Sequence, residues 1–580
     1  MELTNLVYLC APITKDKYQI FTICIRSIMK KYKSSFVLSL MLSAILFIVT
    51  CSGTDGNKWM PEILSEKFQK DHYLPDYSYA GYHWGESPLP NAKANLNVTT
   101  FGAVPDDGKD DTEALLKAFA EAHEVDGPVV VKFPKGKFIL KKILYINRSD
   151  FIVRGAGSGR DGTILYCPQP LSDLETPESL KELEEYLTHY NKIQHIRDLD
   201  VKVPFSLYAW SGGFIWTRVK GKRFKPYMEK YNTPPNILAT IKSGKTGEHL
   251  LNVDSTEKLK SGDIVSIYWY NKEGEKSTLI DEIYDHQSLK VGSRHWQNPN
   301  YPLTTQEATI IKIEGNQVTI KEPLLLDLRP EYTPVIAEWK HIKEVGIEHL
   351  RFDFPYDLYN GHHVQDGYSA IFLTSTAHSW VKDIKIHNGD NGILADDCAN
   401  ITIENVETTG RTYHYTVMLG LAYNFLCKNI TVNAPCVHSL SFNTGARRCV
   451  FTDCDVKVQP TLDQHSGCNF QNLFDNIRII DKEPHHSFIT AGGAGYWKPT
   501  HGAFSTFWNI QNEFDYCHPA DKPIKIKGVM DGPSARLVGL TANYPIDITY
   551  GPNTYMEGIN KSDIAVPSLY EYQLKKRLAE

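Results

Sequence analysis

No part of this 580-residue chain is strongly basic. It carries 62 Lys and Arg against 68 Asp and Glu, a net charge of −6. The first fifty residues hold six of those cations and only two of the anions, so the remainder is more acidic still. Without a basic domain, nucleic acid is excluded as the main partner. No pair of the eleven cysteines has metal-ligand spacing with accompanying histidines, which excludes a zinc-finger-like module. No carboxylates cluster convincingly around a calcium ion, so no cofactor is predicted, although calcium remains compatible with the sequence. Beyond Cys51 lie Cys167, Cys398, Cys427, Cys436, Cys449, Cys454, Cys468 and Cys517, six of them between 398 and 468. Buried free thiols are expected, with a disulfide as the alternative. Aromatics, in contrast, are plentiful at 11 %, with 32 tyrosines, which suits flat apolar surfaces for sugar rings as well as a core.

The N-terminal segment reads as an export signal. Lys30, Lys31 and Lys33 precede an apolar run from Phe36 to Thr50, and Met29 fits an initiating methionine better than Met1. Ile48-Val49-Thr50-Cys51 resembles a loose bacterial lipobox, with Thr in place of the usual Gly or Ala before the cysteine. The expectation is a lipoprotein of a Gram-negative envelope, lipidated at Cys51, placed at the outer membrane and touching the membrane only through its anchor.

The most informative stretch runs from Asn97 to Ala118. A short strand ends at Phe101, Gly102 turns it, and an acidic loop leads to Asp111 and Thr112, whose side chains can cap a helix. That helix has the apolar face Ala114, Leu115, Ala118, Phe119 and Ala122, and the strand Val129–Phe133 follows. The order resembles the N-terminal cap of the pectate lyase and polygalacturonase superfamily. The resemblance implies an all-β fold, a right-handed parallel β-helix whose first coil the cap covers.

Further along, Val381/Ile384, Ile403/Val406, Phe451/Cys454 and Phe474/Ile477 share one local pattern, with another copy near Ile430. The repeat step is about 22–23 residues, one coil, and coils stack roughly 4.8 Å apart. Side chains one repeat apart therefore become neighbours. Alternating strands joined by tight turns interrupt this pattern, as in Leu259–Ile267 and Ile310–Ile320. The expected organisation is a signal at 1–50, a lead-in at 51–95, and cap and first coils at 96–235 with a helical insertion near Ser179–Tyr190. A small β-barrel-like insert at 236–335 follows, then the main coils at 336–520 and a packed tail at 521–580.

Three histidine-bearing segments are candidates for chemistry: Gly361-His362-His363, Arg411-Thr412-Tyr413-His414-Tyr415 and Asp463-Gln464-His465. If Val417, Leu419, Leu440 and Phe442 point inward, then His414, Ser441 and Asn443 point outward. Asp463 and His465 lie 22 residues beyond Ser441 and Asn443. His414 and the Asp463/His465 pair then share one face, about 10 Å apart. Proton abstraction beside a uronate needs a base, a carboxylate neutraliser and an acid. His414 or His465 suits the first role, Arg411 or Arg447 the second, and Tyr413 or Tyr415 the third. His362, His363, Trp497, Lys498, His501 and the loop residues Arg294, His295 and Trp296 are candidate substrate contacts.

From residue 345 onward the chain is similar to a group of exported bacterial β-helix proteins with a C-terminal domain of unknown function. The matching stretches are Gly361-His362-His363, Asp463-Gln464-His465, Asn472-Leu473-Phe474, Phe507-Trp508-Asn509-Ile510 and Pro567–Leu574. Two departures stand out: Ser466 replaces a His or Arg, and Tyr413-His414-Tyr415 replaces Gly-His-His. The leading expectation is a polysaccharide lyase, acting as a monomer on an acidic polysaccharide such as a pectic polymer or glycosaminoglycan. An inverting glycoside hydrolase using Asp390, Asp396, Asp397 or Asp463 is the second expectation, and a non-catalytic glycan-binding lipoprotein the third.

Overall fold

The computed structural model describes residues 58–580 except 70–72, 195–204, 223–234, 293–295, 297–298, 485 and 494–496. Cys51, Arg294 and His295 lie outside the described residues, as does the whole signal segment. From Met60 to Glu580 the chain forms one unit, a right-handed parallel β-helix.

One apolar ladder runs along almost the whole helix. Leu96 pairs with Val131, Val131 with Val153, Val153 with Ile347, and Ile347 with Val381. The same column continues through Ile403, Cys427, Phe451, Phe474, Phe507 and Leu537 to Met556. It contains the repeat seen in the sequence, and the period arises because each coil must return an inward side chain to the same place. Every member from Val131 to Leu537 is fully buried. At about 1.5–3 kcal/mol for each large side chain buried, this column is a principal source of stability. A second column on another face runs Leu144, Ile215, Ile371, Ile393, Val417, Leu440, Leu462, Ile489. The candidate site lies beside this column.

At the N-terminal end the helix Thr112–Glu124 buries Leu115, Ala118, Phe119 and Ala122 against the first coil. Its capping differs from the expectation. Asp111 makes no cap hydrogen bond; its carboxylate instead accepts from the backbone amides of Val104 and Ile139. The neighbouring Asp110 accepts from the Thr112 amide. Asp111 thus fastens the acidic loop to the following strand, a tie between segments that local sequence does not reveal.

The insert is a closed barrel of six strands, from Ile237–Ser243 to Val335–Glu338. Its core packs in one apolar cluster with Ala377, Ala399 and Tyr423 of the coils. The charged helix Glu178–Gln194 precedes it. Lead-in and tail both lie along the coils: Arg577 in the final helix Leu569–Ala579 bonds the carbonyls of Ser78 and Trp84. The eight described cysteines are all free, and all but Cys517 are buried.

Candidate functional site

The strand Tyr413–Tyr423 places Tyr415 in register with His438 on the next coil, and Met418 with Ser441. Ser441 is in turn aligned with Asp463. Coil stacking therefore gathers His414, Tyr415, His438, Asp463 and His465 along one line. The ring centroids of His414 and His438 are 5.3 Å apart, and those of His438 and His465 are 4.6 Å apart. Tyr415 stacks on His438 at 4.8 Å. From the other side, the loop before Ser369–Thr374 lowers His362 and His363 onto the row, with His362 at 4.8 Å from His414 and 5.6 Å from His438. His363 sits in left-handed backbone, φ 70°, a conformation that costs free energy in a non-glycine residue. Its carbonyl accepts from the Ser206 amide, which closes the segment 205–210 over the site.

His438 is the member sequence reading missed. Its signal was there: it lies 23 residues after Tyr415, one coil on. It also fills the gap between His414 and the Asp463/His465 pair. The row is far less exposed than an outer β-helix face would be, because the 205–210 and 359–365 segments roof it. His414 is fully buried, His438 is 7 % exposed, and the His465 side chain keeps 12 %.

Polar contacts within the row are incomplete. His414 has Nδ1 fixed 2.6 Å from the Ala209 carbonyl, while its Nε2 has no partner. His438 places Nδ1 3.1 Å from Asp463 Oδ2, and His465 Nδ1 lies 3.5 Å from the same oxygen, without hydrogen-bond alignment. Nε2 of His362, Nδ1 of His363 and Nε2 of His438 are also unpartnered. Buried polar atoms are ordinarily satisfied, so five unsatisfied imidazoles in one place mark a site prepared for something else. Burial pushes His362 down to about 4 and holds His363, His414 and His438 below the ordinary histidine value, with Asp463 opposing at His438. Burial alone would raise Asp463, but His438 and His465 outweigh it and keep the carboxyl ionised.

The remaining sequence candidates lie elsewhere. Arg411 is buried, with its guanidinium 2.7 Å from Asp390 and on the Asn388 carbonyl. Arg447 is buried against Glu307 of the barrel at 2.5 Å, and it also bonds Thr305. Neither cation is free to meet a carboxylate. Tyr413 turns into the core, with its hydroxyl donating to the carbonyls of Ile386 and Thr409. Tyr415 is the tyrosine that faces the histidines. Trp296 is 1 % exposed against Tyr284 in the barrel core, so it is no sugar platform. His501 is buried between the Gly502 carbonyl and the Tyr550 hydroxyl. Trp497 is half-buried, and the exposed Lys498 reaches Asp531 at 4.0 Å. Two of the four aspartates of the hydrolase reading also have structural partners. Asp390 takes the amides of Gly367 and Tyr368, and Asp397 takes Lys222, Trp339 and Ser375.

Coiled parallel strands under a helical cap define a right-handed parallel β-helix, with the histidine row on its coil face. The family described as "Rhamnogalacturonase A/epimerase, pectate lyase-like" matches residues 95–169, the cap and first coils. No curated protein matches the sequence. Among solved structures, the chain is similar to the tailspike protein gp49 of Pseudomonas phage LKA1, at 12 % identity, covering 79 % of this chain and 77 % of that one, with a TM-score of 0.41. It is similar to the A-module of the mannuronan C-5 epimerase AlgE6 of Azotobacter vinelandii, at 12 % identity, covering 80 % and 92 %, TM-score 0.33. It is also similar to the family 28 exopolygalacturonase of Yersinia enterocolitica, at 11 % identity, covering 81 % and 79 %, TM-score 0.33.

Proposed function

We propose that this protein is a glycan-acting enzyme, a polysaccharide lyase that cleaves uronic-acid polymers by β-elimination at the histidine row. The observation that carries this reading is the convergence of His362, His363, His414, His438 and His465 on Asp463 and Tyr415, with ring nitrogens left unpaired. His465, the row's partly exposed ring at the Asp463 end, takes the proton from C5 of the uronate. Asp463, 3.5 Å from that ring, offsets the positive charge it gains. The electron pair left at C5 forms the C4–C5 double bond as the C4–O bond breaks. The departing oxygen takes its proton from Tyr415. The Tyr415 hydroxyl accepts from the Asn443 amide, so its own proton is not committed there.

The test is incubation of the mature protein with a panel of uronic-acid polysaccharides, read by the ultraviolet absorbance of the conjugated unsaturated uronate. The expected result is a rise with one polymer, lost in His465→Ala. New reducing ends without that absorbance would replace elimination by hydrolysis. Binding without either product would make the protein a glycan-binding lipoprotein.

A further inference from the structure

We propose that His362, His414 and His438 bind one divalent transition-metal ion, zinc or a close relative, through their unpaired ring nitrogens. The proposal that this ion then neutralises the substrate carboxylate rests on the lyase reading; the binding site itself does not.

The three donor atoms lie within 4.8 Å of one another. Three nitrogens around a tetrahedral ion at about 2.0–2.1 Å stand roughly 3.4 Å apart, so small ring rotations, chiefly of His362 on its loop, complete the fit. One of the rings is already set in the ligating tautomer. Nδ1 of His414 is held at the Ala209 carbonyl, which leaves Nε2 as a lone-pair donor, fully buried and unpartnered. Nδ1 of His438 lies 3.1 Å from Asp463 Oδ2 without hydrogen-bond alignment, and its Nε2 is unpartnered. Histidine ligands are commonly oriented by a carbonyl or a carboxylate on the far nitrogen; here a carbonyl holds His414, and a carboxylate stands beside His438.

A second grouping, His438 with Asp463 and His465, shares the same ring. There Asp463 Oδ2 is already engaged by the Ser441 hydroxyl at 2.7 Å, so Asp463 acts as the positioning residue behind His438. Three imidazoles suit zinc, nickel, cobalt or copper, whereas calcium seeks six to eight oxygens. A fourth position open toward His465 would accept a carboxylate oxygen. That solves the problem left by Arg411 and Arg447, whose charges are consumed by Asp390 and Glu307.

The test uses full mature protein without a histidine tag, stripped with EDTA, titrated with zinc by calorimetry and with cobalt by visible absorbance. The expected result is about one tight equivalent with a tetrahedral cobalt band. Binding should weaken at least a hundredfold in His414→Ala and His438→Ala, and roughly ten- to a hundredfold in Asp463→Asn. His286→Ala, an exposed ring paired with Asp281, should bind as wild type does. If the buried alanine variants fail to fold, the wild-type melting temperature decides: zinc should raise it above the EDTA value. No saturable binding, equal affinity in folded His414→Ala and His438→Ala, or no thermal shift would overturn the site. Tight zinc binding with no unsaturated product from any uronan would keep the site and remove the lyase reading. Unsaturated product formed equally well by EDTA-stripped enzyme would do the reverse for the ion's role.

Discussion

Asp390 and Asp463 are both buried carboxylates on the coils beside the same loop, and their surroundings are opposite. Asp390 is saturated: two backbone amides at 2.9 Å and the Arg411 guanidinium at 2.7 Å use its oxygens in fixed directions. Asp463 accepts from Ser441 at 2.7 Å and more weakly from Thr490 at 3.5 Å, and is otherwise flanked by imidazoles whose nitrogens are not aligned to it. The first arrangement is complete as it stands and holds the chain together. The second keeps binding capacity in reserve, which a protein interior does not do without cost. Satisfaction of polar groups, more than their burial or charge, separates scaffold from site here.

The largest contrast is expected from substituting these two residues. Asp390→Ala leaves Arg411 buried without its partner and should cost about 3–5 kcal/mol, seen as a steep fall in the denaturant midpoint. Asp463→Asn keeps the shape and should change stability far less while removing most of the catalytic rate. Equal stability losses in the two variants would erase the distinction.

A third buried aspartate sharpens it. Asp475 accepts from Ser568, the Leu569 amide and Thr452, and so docks the N-terminus of the final helix. Burial lifts its carboxyl to about 7 despite those bonds. Asp475→Ala should cost about 2–3 kcal/mol and free the C-terminal helix for proteolysis. Resistance of that helix to protease in the variant would count against the docking role.

A smaller effect concerns acid. Burial lowers His501 to about 4 from its ordinary 6.5, with the Gly502 carbonyl and Asp531 opposing. The unfolded chain takes up this proton below about pH 6.5 while the folded chain refuses it. Stability should therefore fall as pH drops from 6.5 toward 4, by up to about 1.4 kcal/mol per pH unit from this one ring. His501→Gln should flatten that slope, and an unchanged slope in melting curves would exclude the residue as a source.

The smallest expected effect is at the surface. Among the described cysteines only Cys517 is exposed. Among the described thiols it should be the one that reacts at once with a thiol reagent in the native state, and Cys517→Ser should remove its fast phase without touching activity.

Much of the scaffold was legible in sequence because a β-helix writes its geometry as a period. The step from Val381 to Ile403 and from Phe451 to Phe474 is the coil, and the ladder pairs those very residues. The barrel strands and the apolar face of the cap helix were legible for the same reason. Part of the site was legible too: Asp463 lies one coil beyond Ser441, itself in register with Met418, whereas His414 stands four positions before Met418 and reaches the row through its ring. What stayed hidden depends on contacts between distant segments. Arg447 meets Glu307 140 positions away in the barrel, and Trp296 is buried there beside Tyr284. The roof of residues 205–210 and 359–365, which turns an outer face into a buried site, has no periodic signature. His438 was hidden by its own surroundings, a strand read only for its inward Leu440 and Phe442.

The most direct test of the central claim, that this row is the active site, is the initial rate of unsaturated-uronate formation by His465→Ala on the polymer wild type cleaves. The account predicts a fall of about a thousandfold with the melting temperature little changed. A folded His465→Ala enzyme working within twofold of wild type would contradict it.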